Sequence, residues 1–285
     1  MIEKLKYITV IYSKYIESVK LMVQEHYDIP EYENAVFFLD LLYTIINEYN
    51  LEPQTFECYN KRIYYSLEHS VYNCDDILQS YYDVETDLIQ SFNITEFWSM
   101  DYNSTLGQQV YSKLKIPCKF KPMRYTSLIK PNNKIYTTQK IIDCCHVGVI
   151  TKEAYHRIEL INRIEHSSGV SFNFITQTKN IQDIVHLLDC SKYILDTTRN
   201  PNFKTQNQVR IFELLCMGYT VCAEKRAINM FPDLIFEWEN INELYNIIKK
   251  NEYIHPTEDY KKMTYTDEAY EKYINYLIEQ WNTLG

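Results

Sequence analysis

QNQVRIFELLCMGYTVCAE, residues 206–224, reads as a helix, a tight turn and a strand in direct succession. Val209, Phe212 and Leu215 or Cys216 recur at helical spacing and form one apolar face. Gly218 closes the helix, because the residue after a helix often needs a left-handed backbone that glycine adopts without strain. Tyr219 to Glu224 then reads as a buried strand. Gln206, Arg210 and Glu213 are three to four residues apart and share another face of the helix. A helix N-terminus attracts anions through its unsatisfied N–H groups and its dipole. An arginine there adds a forked, charge-assisted contact suited to a diphosphate. A glutamate one turn later can accept two hydroxyls of a ribose. An Arg–Glu pair on a solvated face accounts for the same spacing, and spacing alone favours that plainer reading.

The neighbouring segments extend the pattern. Ile141 to Ile150 is a near-continuous apolar strand, and Thr151 caps a helix running to about His166. Val170 to Thr176 is a strand, Asn180 caps a helix through Asp189, and Lys192 to Asp196 is a strand. Leu234 to Trp238 is another, and Asn240 to Glu243 is a capping box for a helix to Lys250. Strand and helix alternate with fully apolar strands, which predicts a parallel, doubly wound sheet. In such sheets ligands bind beyond the carboxyl ends of the strands. That rule selects Gly148–Lys152, Thr176–Lys179, Asp196–Thr205 and Glu224–Arg226. No GxGxxG or Walker loop is present, which removes the main support for NAD or ATP binding.

The first half is harder to read. Lys6 to Ser13 is a first strand, followed by a helix over Lys14 to His26. Ala35 to Tyr49 is apolar and ambiguous between strand and helix. Lys61 to Ser66 is a strand, Asp75 to Tyr82 a short helix, and Asp83 to Phe92 a further strand region. Leu106 to Leu114 is helical, ended by Ile116-Pro117. The polar stretch Ser127 to Lys140 reads as a linker, and Thr257 to Trp281 as helix with Tyr270, Ile274, Leu277 and Trp281 on one stripe.

The chain has 285 residues and a net charge of -9 without a run of Lys or Arg, so nucleic acid is not the favoured partner. Its eight cysteines form no CxxC pair and read as buried free thiols of a reducing compartment. The start MIEKLKYITVIYS lacks the features of a signal peptide, and no apolar run is long enough for a membrane span. A cytoplasmic protein is expected, and the abundance of Asn, Ile, Lys and Tyr suits an A/T-rich genome, viral or bacterial.

RIFELLCMGYTVCAE resembles the R-x-x-E-x-x-x-x-G-x-x-V-x-x-E core of GT-B glycosyltransferases, closest to the CgeB-like branch and its viral relatives. IYYSLEHS, ITEFWSMDYNSTL, LKIPCKFKPMRYTSL and HVGVITKEAYHRIELINRI resemble further segments of that group, so the likeness spans most of residues 60 to 250. The resemblance implies an α/β, GT-B-like fold: two Rossmann-like doubly wound domains facing a cleft, with C-terminal helices returning to the first. The expected boundaries are 1–130 for a reduced acceptor-side domain, 131–255 for the nucleotide-sugar-binding domain and 256–285 for a helical strap. It further implies a hexosyltransferase-like enzyme moving sugar from a nucleotide-diphosphate donor, with a UDP-sugar expected, to a hydroxyl of a glycan, protein or small molecule.

By the same resemblance Arg210 approaches the donor phosphates, Glu213 holds ribose or sugar, and Glu224 is the acidic residue after the next strand. Arg157 faces the site and Asp196 lines the donor pocket; Gln206, which spacing puts on the face of Arg210, is counted with them as a donor-binding residue. Glu68, His69 and Asp101 are the catalytic candidates on the acceptor side, beside Trp98. The sequence shows no Asp-x-Asp pair in a strand-end loop, so no metal and no cofactor beyond the donor are expected. Thr205 stands eight residues before Glu213, where retaining relatives often carry a second glutamate, and His156-Arg157 replaces an arginine pair. Two alternatives follow: a catalytically silent nucleotide-sugar-binding or assembly protein, and a viral transferase acting on modified DNA bases.

Overall fold

A computed structural model describes residues 1–13, 16–67, 76–102, 104–147, 155–166, 169–175, 181–197 and 203–284. The chain divides into two compact units, one of residues 1–128 with 271–285, the other of residues 129–270.

The first unit is built on a six-stranded sheet: β1 Ile2–Lys4, β2 Ile8–Tyr12, β3 Ala35–Leu39, β4 Lys61–Ser66, β5 Glu96–Ser99 and β6 Cys118–Phe120, adjacent in that order. β1 runs antiparallel to β2, and every later pair is parallel. The connections carry α1 Glu17–Tyr27, α2 Leu42–Tyr49, α3 Asp76–Ser91 and α4 Thr105–Leu114. The ambiguous stretch from Ala35 is thus both a strand and a helix, turned at Asp40. The further strand expected over 83–92 is instead part of α3. Tyr82, Glu85, Ile89 and Phe92 are buried three or four apart, a helical period that its β-branched Val84, Thr86 and Ile89 disguised.

Alternation along the strands separates two cores. Ile11, Phe38, Tyr64 and Phe97 pack with Leu42, Ile45, Ile89, Leu106 and Val110 of α2, α3 and α4. On the other face, Tyr27 of α1 lies 4.8 Å from Trp98 and 6.1 Å from Phe37. α2 has no side-chain cap of its own; the fully buried Glu85 of α3 accepts the Leu42 and Tyr43 N–H groups (3.1 and 2.9 Å) and the Tyr64 hydroxyl (2.9 Å).

The second unit has five parallel strands: β7 Ile142–Val147, β8 Phe172–Ile175, β9 Ser191–Asp196, β10 Val221–Glu224 and β11 Phe236–Trp238. Its helices are α5 Tyr155–Glu165, α6 Ile181–Asp189, α7 Gln208–Met217, α8 Ile241–Lys250 and α9 Pro256–Thr264. The order β11-β10-β9-β7-β8 reverses between β7 and β9, the switch point of a doubly wound sheet. Alternation lapses once: residues 225–235 join β10 to β11 without a helix. Cys144, Leu160, Ile164, Tyr193, Leu195, Cys222, Trp238, Leu244 and Ile248 form one core cluster of this unit.

The linker expected over 127–140 is docked rather than loose. The Asn132 amide donates to Asp189 (2.7 Å) and to the Tyr219 hydroxyl (3.0 Å), which itself donates to Asp189 (2.8 Å). The expected strap over 256–285 divides. α9 packs on α7 within the second unit, while α10 Asp267–Thr283 runs on into the residues that belong to the first. Tyr273, Leu277 and Trp281 are buried there, Tyr273 taking the place expected of Ile274. Among the described residues no helix is long and apolar enough to cross a membrane. The seven described cysteines are free thiols, five of them buried.

Candidate functional site

The polar groups of interest in the second unit gather at the carboxyl ends of β9, β10 and β11. β9 ends on Asp196, whose side chain is 1% exposed. Its carboxylate accepts the Asn207 N–H (3.3 Å) and pairs with the Arg210 guanidinium through Nη1 (3.2 Å). Asn207 is the N-cap of α7, its Oδ1 accepting the Arg210 N–H at 3.2 Å. The start of α7 is therefore held by side chains of the chain itself: Asp196 takes the cap residue's amide and Asn207 that of the first turn. At those two amides a diphosphate finds the place taken, contrary to the seat expected from the helix N-terminus alone. Arg210 keeps 24% of its side chain exposed. A guanidinium carries five N–H donors in a plane, so an anion can approach the edge that Asp196 does not occupy. Glu213 lies one turn further on, half-buried. The structure thus joins Arg210 to Asp196, across from β9, and the plain intrahelical reading of the Arg–Glu stripe is not needed to explain the arginine.

Gln206 stands before the helix rather than on its face. Its amide is fully buried, donating to Glu237 (2.7 Å) and accepting the Met230 N–H (3.1 Å). It braces the loops after β9 and β10, which also pair through Thr205 and Ile228. Glu237, on β11, also accepts the Asn229 amide (2.8 Å). Burial raises its carboxyl above the usual range, against the pull of Lys225 and Gln206. β10 ends on Glu224, which meets Arg226 at 2.9 Å, both side chains largely buried (11% and 8% exposed).

Of the residues gathered here, the sequence reading singled out Asp196, Gln206, Arg210 and Glu224, its strand-end rule spanned Arg226, and it missed Asn207, Asn229 and Glu237. One signal was available for these: Asn207 before an apolar helical stripe. Nothing local marks Asn229 or Glu237, which the docking of two loops brings together. Of the other expected residues, Glu68 and His69 lie outside the described residues, as do residues 148–154, 176–180 and 198–202, among them the expected caps Thr151 and Asn180. Arg157 falls on α5, its side chain outside the described set. Asp101, two residues beyond β5 in the first unit, is 2% exposed, and its N–H donates to the Ser99 hydroxyl (3.1 Å). Trp98 is fully buried in the aromatic core, and Tyr102 is exposed against Phe120, with ring centroids 5.6 Å apart. Among the described residues no group of three or more His, Cys, Asp or Glu is placed to hold a metal ion.

The arrangement offers two guanidiniums fixed by buried carboxylates along one sheet edge, beside the switch point. Fixed cations of that kind stabilise a polyanion without reorganising. No family model matches the chain, and no curated protein matches it in sequence. Among solved structures it is similar to the lipopolysaccharide outer core galactosyltransferase WaaB in its apo form, with a TM-score of 0.41 and 10% identity over 93% of this chain and 79% of that one. A similarity that slight speaks for neither activity nor site.

Proposed function

We propose that the protein is a glycosyltransferase that takes sugar from a nucleotide-diphosphate donor, a UDP-sugar by expectation, to a hydroxyl acceptor of glycan, protein or small-molecule class. The second unit holds the donor and the first the acceptor. One observation carries the reading: β9 and β10 end side by side on carboxylates, Asp196 and Glu224, that each hold a guanidinium, Arg210 at 3.2 Å and Arg226 at 2.9 Å. Loss of a diphosphate is the main electrostatic demand of sugar transfer, and cations held in place before the reaction meet it. Arg210, the more exposed of the two, receives the diphosphate; Glu213 accepts the ribose hydroxyls and Glu224 those of the sugar. The guanidiniums supply the charge that a metal ion would otherwise bring, so the reaction is metal-independent. On the acceptor side Glu68 and His69 remain the candidates for accepting the proton, whereas Asp101 sits too deep for an acceptor to reach without movement.

A second reading has its own support. Both guanidiniums are already matched by carboxylates, which lowers the positive field a diphosphate would meet and suits a weaker, catalytically silent nucleotide-sugar binder. A thermal-shift screen of nucleotide sugars, followed by assay of nucleotide release, separates the two. A donor at a hundred times its dissociation constant adds about 2.7 kcal/mol to the stability of the folded state. Stabilisation with release of free nucleotide supports the enzyme. Stabilisation without turnover on any acceptor supports the binder, and no stabilisation by any nucleotide sugar sinks both.

A further inference from the structure

In the first sheet Tyr12, Leu39, Tyr65 and Trp98 face one another across β2, β3, β4 and β5. One residue further along the same strands come Ser13, Asp40, Ser66 and Ser99, of which Ser66 and Ser99 pair directly. By alternation Ser66 and Ser99 lie on the face of Tyr64 and Phe97, the side covered by α2, α3 and α4, while Ser13 and Asp40 directly follow the last residues of β2 and β3 at the same edge. An apolar face therefore ends, at its carboxyl edge, in three hydroxyls and a carboxylate. Ser13, Ser66 and Ser99 are buried, and Asp40 is half-buried. Burying polar groups is unfavourable unless they find partners. The Ser99 hydroxyl has one in the Asp101 N–H. The Ser13 hydroxyl faces the Asp40 carboxyl but makes no hydrogen bond of good geometry among the described residues.

Asp40 stands out by its backbone as well. Its φ is +83°, outside the small left-handed basin open to residues with a side chain. Glycine would sit there without strain, and the chain has an acid instead. Strained residues of this kind concentrate where a side chain is being aimed. Burial raises the carboxyl above its usual range, the Leu41 N–H and Ser13 oppose the rise, and Glu48 adds to it. Among the described residues the groups acting on this half-buried carboxylate are the Leu41 N–H, Ser13 and Glu48, a setting suited to a hydroxyl proton.

We propose that this edge is the seat of the acceptor: Asp40, with the buried Ser13 behind it, hydrogen-bonds a hydroxyl of a saccharide-class ligand and takes its proton during transfer. The proposal rests on the glycosyltransferase reading and puts Asp40, in place of Glu68 and His69, as the group that accepts the proton. In the step, the acceptor O–H bond breaks and its proton moves to an Asp40 carboxylate oxygen. The acceptor oxygen bonds to the anomeric carbon of the donor, whose bond to the diphosphate breaks with the electron pair leaving on phosphate.

The test uses the full chain and two probes. Saturation-transfer NMR with methyl α-glucoside and methyl β-galactoside reads acceptor binding; nucleotide release from UDP-glucose and UDP-galactose reads turnover. Asp40→Asn and Asp40→Gly are compared, since glycine relieves the φ of +83° and keeps the fold if asparagine does not. The expected result is glycoside binding by the wild type that both variants lose. Turnover should fall by about a hundredfold or more with the donor's thermal shift unchanged. Absence of glycoside binding by the wild type overturns the proposal, as does either variant keeping binding or turnover within about twofold of it. Donor stabilisation without any effect at Asp40 sinks this seat alone. Glycoside binding that depends on Asp40, without stabilisation by any nucleotide sugar, sinks the donor reading and leaves the seat standing.

Discussion

Arg210→Ala tests two roles at once, and the structure allows them to be separated. Removing the guanidinium leaves Asp196, 1% exposed, with the Asn207 N–H as its hydrogen-bond donor among the described residues. A buried carboxylate deprived of its counter-charge costs about 3 kcal/mol or more. For a unit of this size that corresponds to a fall in melting temperature of roughly 6–12 °C. Asp196→Asn removes the buried charge, so the double variant Asp196→Asn/Arg210→Ala should recover about 1–2 kcal/mol relative to Arg210→Ala. Urea and thermal unfolding of the four proteins give the cycle. Donor affinity should follow a different order: both proteins lacking Arg210 should bind the nucleotide sugar about 10- to 100-fold more weakly, whatever their stability. If Arg210→Ala melts with the wild type, Asp196 does not depend on the pair. If the double variant regains donor affinity along with its stability, Arg210 acts through the fold and does not touch phosphate.

Three further outcomes follow from other parts of the molecule. Glu85→Ala strips the cap from α2 and removes the Glu85 carboxylate that accepts from the buried Tyr64 hydroxyl, so urea denaturation should show a loss of about 3–5 kcal/mol in the first unit, with Glu85→Gln losing less. Gly218→Ala places a Cβ 3.3 Å from Thr257 Oγ1 at a φ of +94°, and should cost about 1–3 kcal/mol by thermal unfolding; an unchanged melt would mean the α7–β10 turn relaxes. Burial pushes the Asp143 carboxyl up, but Lys192 and Ser171 outweigh it and hold the group below the usual range. Its contribution is therefore present above the unfolded value of about 4 and lost as pH falls through the folded one. Asp143→Asn should lower stability by about 1 kcal/mol at neutral pH and flatten the acid limb of the stability curve; an acid limb like that of the wild type would show that Asp143 contributes nothing.

The second unit was legible because its signals are local. Continuous apolar strands, Gly218 after α7 and the Asn240 box each act over a few residues, and each sits where the pattern placed it: Asn240 accepts the Asn242 and Glu243 N–H groups at the start of α8. The first unit reads poorly where local preference and tertiary packing part company. α3 carries β-branched residues and polar turns of chain, and its helical period shows only through the side chains it buries. β1 and β6 are three-residue edge strands, too short to carry a pattern. The site divides in the same way. Arg210 and Glu224 could be found from spacing and resemblance, but the occupation of the α7 N-terminus by Asp196 needed the fold, since fourteen residue positions separate the partners. Asp40 could not be found at all from sequence. Its neighbours at that edge, Ser13, Ser66 and Ser99, stand at the ends of three other strands, and its backbone strain leaves no mark on the residues around it.

The membership of residues 271–285 in the first unit bears on how the chain acquires its structure during synthesis. Residues 129–270 leave the ribosome as one uninterrupted stretch and can close their core as soon as they are clear. Residues 1–128 emerge earlier, yet Tyr273, Leu277 and Trp281 reach them only after the whole second unit has been made. The unit begun first is thus completed last. In the interval its aromatic face waits for part of its cover, a period in which a chaperone has something to hold and a truncated product has something to expose.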